Sequence, residues 1–145
     1  MIDIIKVSNN SELREFVMFP FKLYKGSKYW VPPIIEQEIN NFNKDLNPNL
    51  KNADVELYIA SKNNEIVGRI AIIINWYEVN EQKNSKIRFG WFDFIDDFEV
   101  SKLLLDKVVE CGNNNKLKYM EGPMGFSNLD KVGVLTSGFE IIGTM

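Results

Sequence analysis

The sequence predicts a single α/β domain, a mixed β-sheet flanked by helices on both faces. Three observations carry that expectation. Strand-like and helix-like segments alternate along 145 residues, a length that supports one core. Residues 55–75 hold two Ile- and Val-rich runs about a short polar turn, the pattern of a β-hairpin. Two stretches, one around Leu13 and one around Leu104, space their apolar residues at the helical period.

Ile2, Ile4 and Ile5 open the chain as a first strand, ended by the polar cluster Ser8-Asn9-Asn10-Ser11, which suits a helix N-cap. Leu13, Phe16 and Val17 follow helical spacing. Pro20 has no amide hydrogen and crowds the preceding turn, so the helix is expected to end or kink near Phe19. Pro32-Pro33 then opens a second helix whose Ile35, Ile39 and Phe42 share one face. Residues 40–52, with six asparagines and Pro48, read as a loop. The hairpin follows, with strands over 55–61 and 66–75 about the turn Lys62-Asn63-Asn64-Glu65.

A polar connection over 78–85 leads to a strand over 86–95, with Trp91, Asp93 and Ile95 expected on one face and Phe92 and Phe94 on the other. Bulk on both faces marks it as a central strand. Val100, Leu103, Leu104 and Val108 define an amphipathic helix ended by Gly112 and three asparagines, and residues 117–121 form a last short strand. Beyond it lie five of the nine glycines and no clean period, so loops with short pieces of structure are expected.

Composition excludes several chemistries. Lys plus Arg number 17 against 20 for Asp plus Glu, a net charge of −3, so there is no cationic field to hold a nucleic acid. The absence of histidine removes His-based triads, His general bases and the commonest zinc ligand. Cys111, the sole cysteine, cannot form an internal disulfide and is expected as an ordinary helix residue. The start of the chain lacks the apolar core of a signal peptide, and the longest aliphatic run, 70–74, is far short of the roughly 20 residues that span a bilayer. A cytoplasmic protein with no membrane and no nucleic-acid partner is the expectation.

The order strand, two helices, hairpin, strand, helix, strand resembles the GNAT N-acyltransferase fold. Residues 58–70, with Val67-Gly68 in the hairpin's returning strand, look like that family's second and third strands. Residues 100–108 are similar to its cofactor helix, and Gly138-Phe139-Glu140 to its late turn into a strand. A more specific likeness is to uncharacterised bacterial GNAT-like proteins, carried by Phe19-Pro20-Phe21-Lys22-Leu23-Tyr24, Tyr29-Trp30-Val31-Pro32-Pro33, Phe89-Gly90-Trp91-Phe92-Asp93-Phe94 and Gly122-Pro123-Met124-Gly125-Phe126. The resemblance implies a GNAT-like sheet lacking its last strand or strands, in the leading portion of a longer protein. A homodimer partner or the remaining chain would then cover the open sheet edge.

The resemblance further implies acetyl-CoA or another acyl-CoA as donor and an amine as acceptor. The family holds the CoA diphosphate with an Arg/Gln-x-x-Gly-x-Gly/Ala loop at a helix N-terminus. Aligned on the helix, that loop falls on Asp96, Asp97, Glu99, Val100 and Ser101, so carboxylates stand where glycines and a cation are expected, and the Gly-rich cradle is absent. The residues themselves read first as a capping box, with Asp96 capping the helix and Glu99 reaching back, and next as an acidic binding site. Backbone amides near Phe94 and Ile95 are the implied seat of the pantetheine arm. Asp93 and Glu121, both expected to face one cleft with pKa values raised by burial, are candidates for the base, and Tyr119 for the acid. A hydrogen-bonded carboxylate and a core tyrosine are the alternative roles. Tyr29, Trp30, Trp76 and Trp91 are candidate substrate contacts, with plain packing as the alternative. Two functions stay open: an acyl-CoA-dependent N-acyltransferase with a divergent acidic loop, and a non-catalytic binding or domain-pairing module.

Overall fold

The structure, a computed structural model, describes residues 1–141. Its centre is the hairpin. Strands β2 (Ala53–Lys62) and β3 (Glu65–Asn75) pair antiparallel from Ala53↔Asn75 to Lys62↔Glu65. Asn63 and Asn64 join them with φ of 54° and 63°, the left-handed pair that a two-residue hairpin turn demands and that asparagine tolerates. Strand β1 (Ile2–Lys6) adds antiparallel to β2, and β4 (Lys86–Phe94) antiparallel to β3. Strand β5 (Tyr119–Glu121) then pairs parallel to β4. Among the described residues the sheet is therefore mixed and five-stranded, in the order β1-β2-β3-β4-β5, with β4 interior as its two-sided bulk implies.

Each face carries one main helix. Helix α4 (Phe98–Asn114) sends Val100, Leu104 and Val108, all fully buried, against Tyr58, Ala60, Ile70, Ile72, Ile87 and Phe89. Helix α1 (Asn10–Leu23) covers the other face, placing Phe16 and Val17 against Leu57, Ile59, Ala71, Ile73 and Trp91. Burial at these side chains contributes about 1.5–3 kcal/mol each, enough to fix which strand face meets which helix. Gly68 permits the close approach of α4: a Cβ there would lie 2.8 Å from Val100 Cγ1.

Several expectations change. Asn9 is the N-cap of α1, its side chain accepting from Glu12 N–H while the Glu12 carboxylate accepts from the N–H of Ser8, one residue before the cap. Pro20 does not end the helix at Phe19; α1 runs through it to Leu23. The carbonyl of Phe16, orphaned because Pro20 has no N–H, accepts instead from Arg69 Nη1 at 2.9 Å. Helix α2 is shorter than expected (Ile35–Asn40), and Phe42 follows it, packed on Phe16 and Trp91. The asparagine-rich loop contains a 3-10 turn, Pro48–Asn52, capped by Asn47, and the connection after β3 begins as a short helix α3 (Trp76–Asn80) capped by Asn75.

Strand β4 carries an irregularity that positions the site. Gly90 pairs with Ala71 and Asp93 with Arg69, so Trp91 and Phe92 together oppose the single residue Ile70. Trp91 takes φ 46° and joins the α1 face, although Ile87 and Phe89 at the same parity point to α4. Phe92 and Phe94 lie on the face opposite Trp91, as expected, and pack on the α4 side, but Ile95 joins them there instead of sharing the face of Trp91 and Asp93. Beyond β5, residues 122–141 form no helix or strand and are pinned to the sheet by Met124 N–H to Phe89 O (2.8 Å). Gly90 allows this, since a Cβ there would sit 2.2 Å from Met124 O. No helix among the described residues is long and apolar enough to cross a membrane.

Candidate functional site

A cleft of about 390 Å³ opens on the α1 face at the C-terminal end of β4. Its walls come from four places: Pro20 of α1, the segment Tyr29–Pro33, the strand residues Arg69, Trp91, Phe92 and Asp93, and Pro123 and Lys131 of the irregular segment. Glu38 of α2 closes one end. The aromatic wall is braced from behind, Trp30 meeting Phe21 edge-on and Tyr24 at a tilt with centroids 5.1 and 5.4 Å apart, and Trp91 packing on Phe42 and Phe126 at 4.9 and 5.5 Å.

Two carboxylates sit in these walls, each with a defined set of donors. Asp93 Oδ2 accepts from Arg69 Nε (2.8 Å) and Nη2 (2.7 Å), and Asp93 Oδ1 accepts from the Tyr24 hydroxyl at 2.9 Å. The guanidinium, 6% exposed, holds the Asp93 carboxylate in a fixed direction. Burial pushes the Tyr24 hydroxyl pKa up, and the Asp93 charge adds to that, so this phenol stays protonated and keeps donating. Glu38 Oε2 accepts from Trp91 Nε1–H (2.8 Å), and Glu38 Oε1 from Lys131 Nζ (2.5 Å), whose ammonium also lies 4.7 Å from the Trp91 ring centre.

The structure gathers some of the expected residues and separates others. Asp93, Trp91, Tyr29 and Trp30 share the cleft. Glu121 and Tyr119 do not line it: Glu121 pairs with Arg88, five residues before Asp93 on β4, an axial offset of about 16 Å at strand rise. Glu121 is also not raised in pKa; the hydrogen bond from Lys86 holds its carboxyl below the usual range. Tyr119 is 51% exposed on β5 and belongs to neither the core nor the cleft. Trp76 lies beyond the far end of β3, seven residues and about 23 Å along the strand from Arg69, where its indole N–H donates to Asp54. Sequence reasoning passed over Arg69, Glu38 and Lys131 as site residues, and reached Tyr24 only as part of the aromatic segment 24–30. Only Arg69 left a signal, a guanidinium inside the aliphatic run 66–74, which must find a buried partner.

No family model matches the chain. Among curated proteins it is similar to protein YghO of Escherichia coli, 26% identical over 132 residues, which cover 91% of this chain and 34% of that protein. It is also similar to the bacterial ceramide synthase of Caulobacter vibrioides, 25% identical over 142 residues, covering 96% and 36%. The chain thus spans about a third of the length of the curated relatives it matches. Among solved structures, an acetyltransferase of the GNAT family from Staphylococcus aureus superposes with TM-score 0.58 at 20% identity, over 86% of this chain and 74% of that one. A predicted acetyltransferase from Clostridium acetobutylicum with acetyl-CoA gives 0.57 at 18% identity, over 83% and 79%. The chain has the GNAT fold.

For an acyl-CoA, the ligand that the resemblance implies, the end of β4 and the start of α4 offer the following groups. Pairing of β4 with β5 stops at Arg88, and Met124 N–H takes Phe89 O, so past the bulge β4 has no strand partner on that side among the described residues. Ile95 N–H is committed to Val67 O at 2.9 Å and is closed to a ligand. Backbone groups alternate in direction along a strand, which leaves those of Phe92 and Phe94 facing the unpartnered side, a fit for an amide-bearing arm. The diphosphate end fits less well. Asp97, and not Asp96, is the N-cap of α4: its Oδ1 accepts from Glu99 N–H at 3.0 Å and its Oδ2 pairs with Lys62 at 3.1 Å. The Lys62 hydrogen bond and the Glu99 amide hold the Asp97 pKa down. Asp96 and Glu99 are exposed beside it, Val100 is buried in the core, and Ser101 Oγ donates to Phe98 O. The helix end is therefore self-capped and offers no glycine nest.

Proposed function

We propose that the chain is the acyl-transfer domain of a longer N-acyltransferase, moving an acyl group from acyl-CoA to an amine held in the cleft. The observation that carries this reading is Asp93: a carboxylate fixed by Arg69 and Tyr24, facing an aromatic-walled cleft beside an unpartnered length of β4. The GNAT fold and the likeness to a protein described as a ceramide synthase support it, ceramide being an N-acyl amide. In the reaction the ammonium loses a proton to Asp93, the amine nitrogen attacks the thioester carbonyl, the C–N bond forms, the C–S bond breaks, and the products are amide, thiol and one proton for solvent. The protein's own share is to orient the amine, accept that proton and exclude water with Trp30, Trp91 and Phe92.

The test is thiol release and N-acyl product formation by the full-length protein given octanoyl-CoA and n-octylamine. Asp93→Asn is expected to lower kcat at least tenfold with KM for the thioester within threefold. No thiol release, or an unchanged rate in the variant, would sink the reading.

A second reading, a non-catalytic binding or domain-pairing module, is favoured by one observation, the self-capped acidic end of α4. Calorimetric titration with CoA separates the two: heat with micromolar affinity supports the enzyme, and none at millimolar ligand supports the module.

A further inference from the structure

We infer that Glu38 and Trp91 form an ammonium subsite in the cleft, and that Lys131 is its intramolecular occupant, which an incoming amine must displace. This deepens the acyl-transfer reading and rests on it for the identity of the ligand as acceptor. Glu38 is 5% exposed, and a carboxylate so buried is costly unless a cation or strong donors meet it. Trp91 Nε1–H satisfies one oxygen, and Asn41 Nδ2 reaches the other only at 3.5 Å, so the Lys131 ammonium is what balances the charge. That ammonium lies over the Trp91 ring, so carboxylate and π-face together describe a seat for a primary ammonium.

The occupant is built to leave. Lys131 stands in the irregular segment, outside every helix and strand, with its side chain 35% exposed, while Glu38 belongs to α2 and Trp91 to the bulge of β4, each largely buried. Its backbone takes φ 48°, a conformation that disfavours a non-glycine residue. Removing the lysine side chain leaves the Glu38 carboxylate and the indole face as cleft wall, beside Tyr29, Val31 and Pro33, which fit the apolar body of the same ligand. Asp93 lies two residues from Trp91 on the same face, about 7 Å along the strand, within reach of an amine moving off the subsite.

The experiment measures binding of n-octylamine and of n-octanol to the full-length protein without any acyl donor, in wild type, Lys131→Ala and Lys131→Ala/Glu38→Gln. Lys131→Ala is expected to tighten octylamine at least fivefold and to leave octanol within twofold, and the added Glu38→Gln to remove the gain. Octylamine should also restore the Tm that Lys131→Ala loses, a readout that does not depend on the double variant folding well. Unchanged or weaker octylamine affinity in Lys131→Ala, or an equal gain for octanol, would overturn the subsite. Acyl transfer assayed in parallel keeps the two readings apart: turnover without competition by Lys131 discards the subsite alone, and competition without turnover discards the reaction alone.

Discussion

Arg69 does three jobs with one guanidinium: it fixes Asp93, replaces the helical hydrogen bond that Pro20 cannot give Phe16, and lies 5.0 Å from the Phe16 ring centre. Its removal leaves a largely buried carboxylate uncompensated and a buried carbonyl without its donor. Arg69→Met is expected to cost about 3 kcal/mol, read as a fall in Tm of about 9 °C by differential scanning calorimetry. Adding Asp93→Leu should recover part of it, because the stranded charge is then gone. A variant as stable as wild type would show the ion pair to be energetically neutral. The same residue explains why the helix boundary at Pro20 was not legible locally: its resolution lies 49 residues away in β3.

At the level of elements, the bulged strand and the segment that crosses it depend on Gly90. A methyl group at 90 would drive into the Met124 carbonyl, which is backbone and cannot rotate aside. Gly90→Ala is expected to lower stability by about 2 kcal/mol, seen as a lower urea midpoint, and to release the Pro123 wall of the cleft. A midpoint unchanged by the substitution would show that this segment does not press on β4. The strands and α4 were legible because continuous aliphatic runs such as 70–74 and the helical spacing of Val100, Leu104 and Val108 are local signals. The cleft was legible in part, through Trp91, Asp93, Tyr29 and Trp30. The partnership of Glu38 with Lys131 joins residues 93 positions apart, and no short-range pattern announces it.

Over the whole molecule, charge pairing predicts how stability follows pH. Glu121 titrates lower in the folded chain than in the unfolded one because Lys86 hydrogen-bonds its carboxylate. Glu12 does so because Ser8 N–H caps it, and Asp97 because Lys62 and the Glu99 amide hold it. A depressed folded pKa contributes stability that is fully present above the unfolded value and is lost as pH falls through the folded one. The urea midpoint should therefore be level from neutrality to about pH 5 and decline from there toward about pH 3. Glu121→Gln should flatten that decline, and about 0.5 M salt should weaken the exposed contributions through screening. A midpoint that climbs on acidification would contradict this assignment. Val132, Val134, Leu135, Phe139 and Ile141, in the irregular segment after β5, are exposed apolar side chains.

The bulge at Trp91 also separates two demands that usually compete within one strand. Ile87, Phe89, Phe92 and Phe94 form a continuous apolar row under α4, while the ladder to β3 resumes in order on either side of the inserted tryptophan. Trp91 is thus surplus to the pairing scheme. The extra residue nevertheless serves the α1-side core and holds Glu38 through its indole N–H, so a smaller side chain at this one position would open a hole in the wall and strand that carboxylate while leaving the ladder to β3 in register.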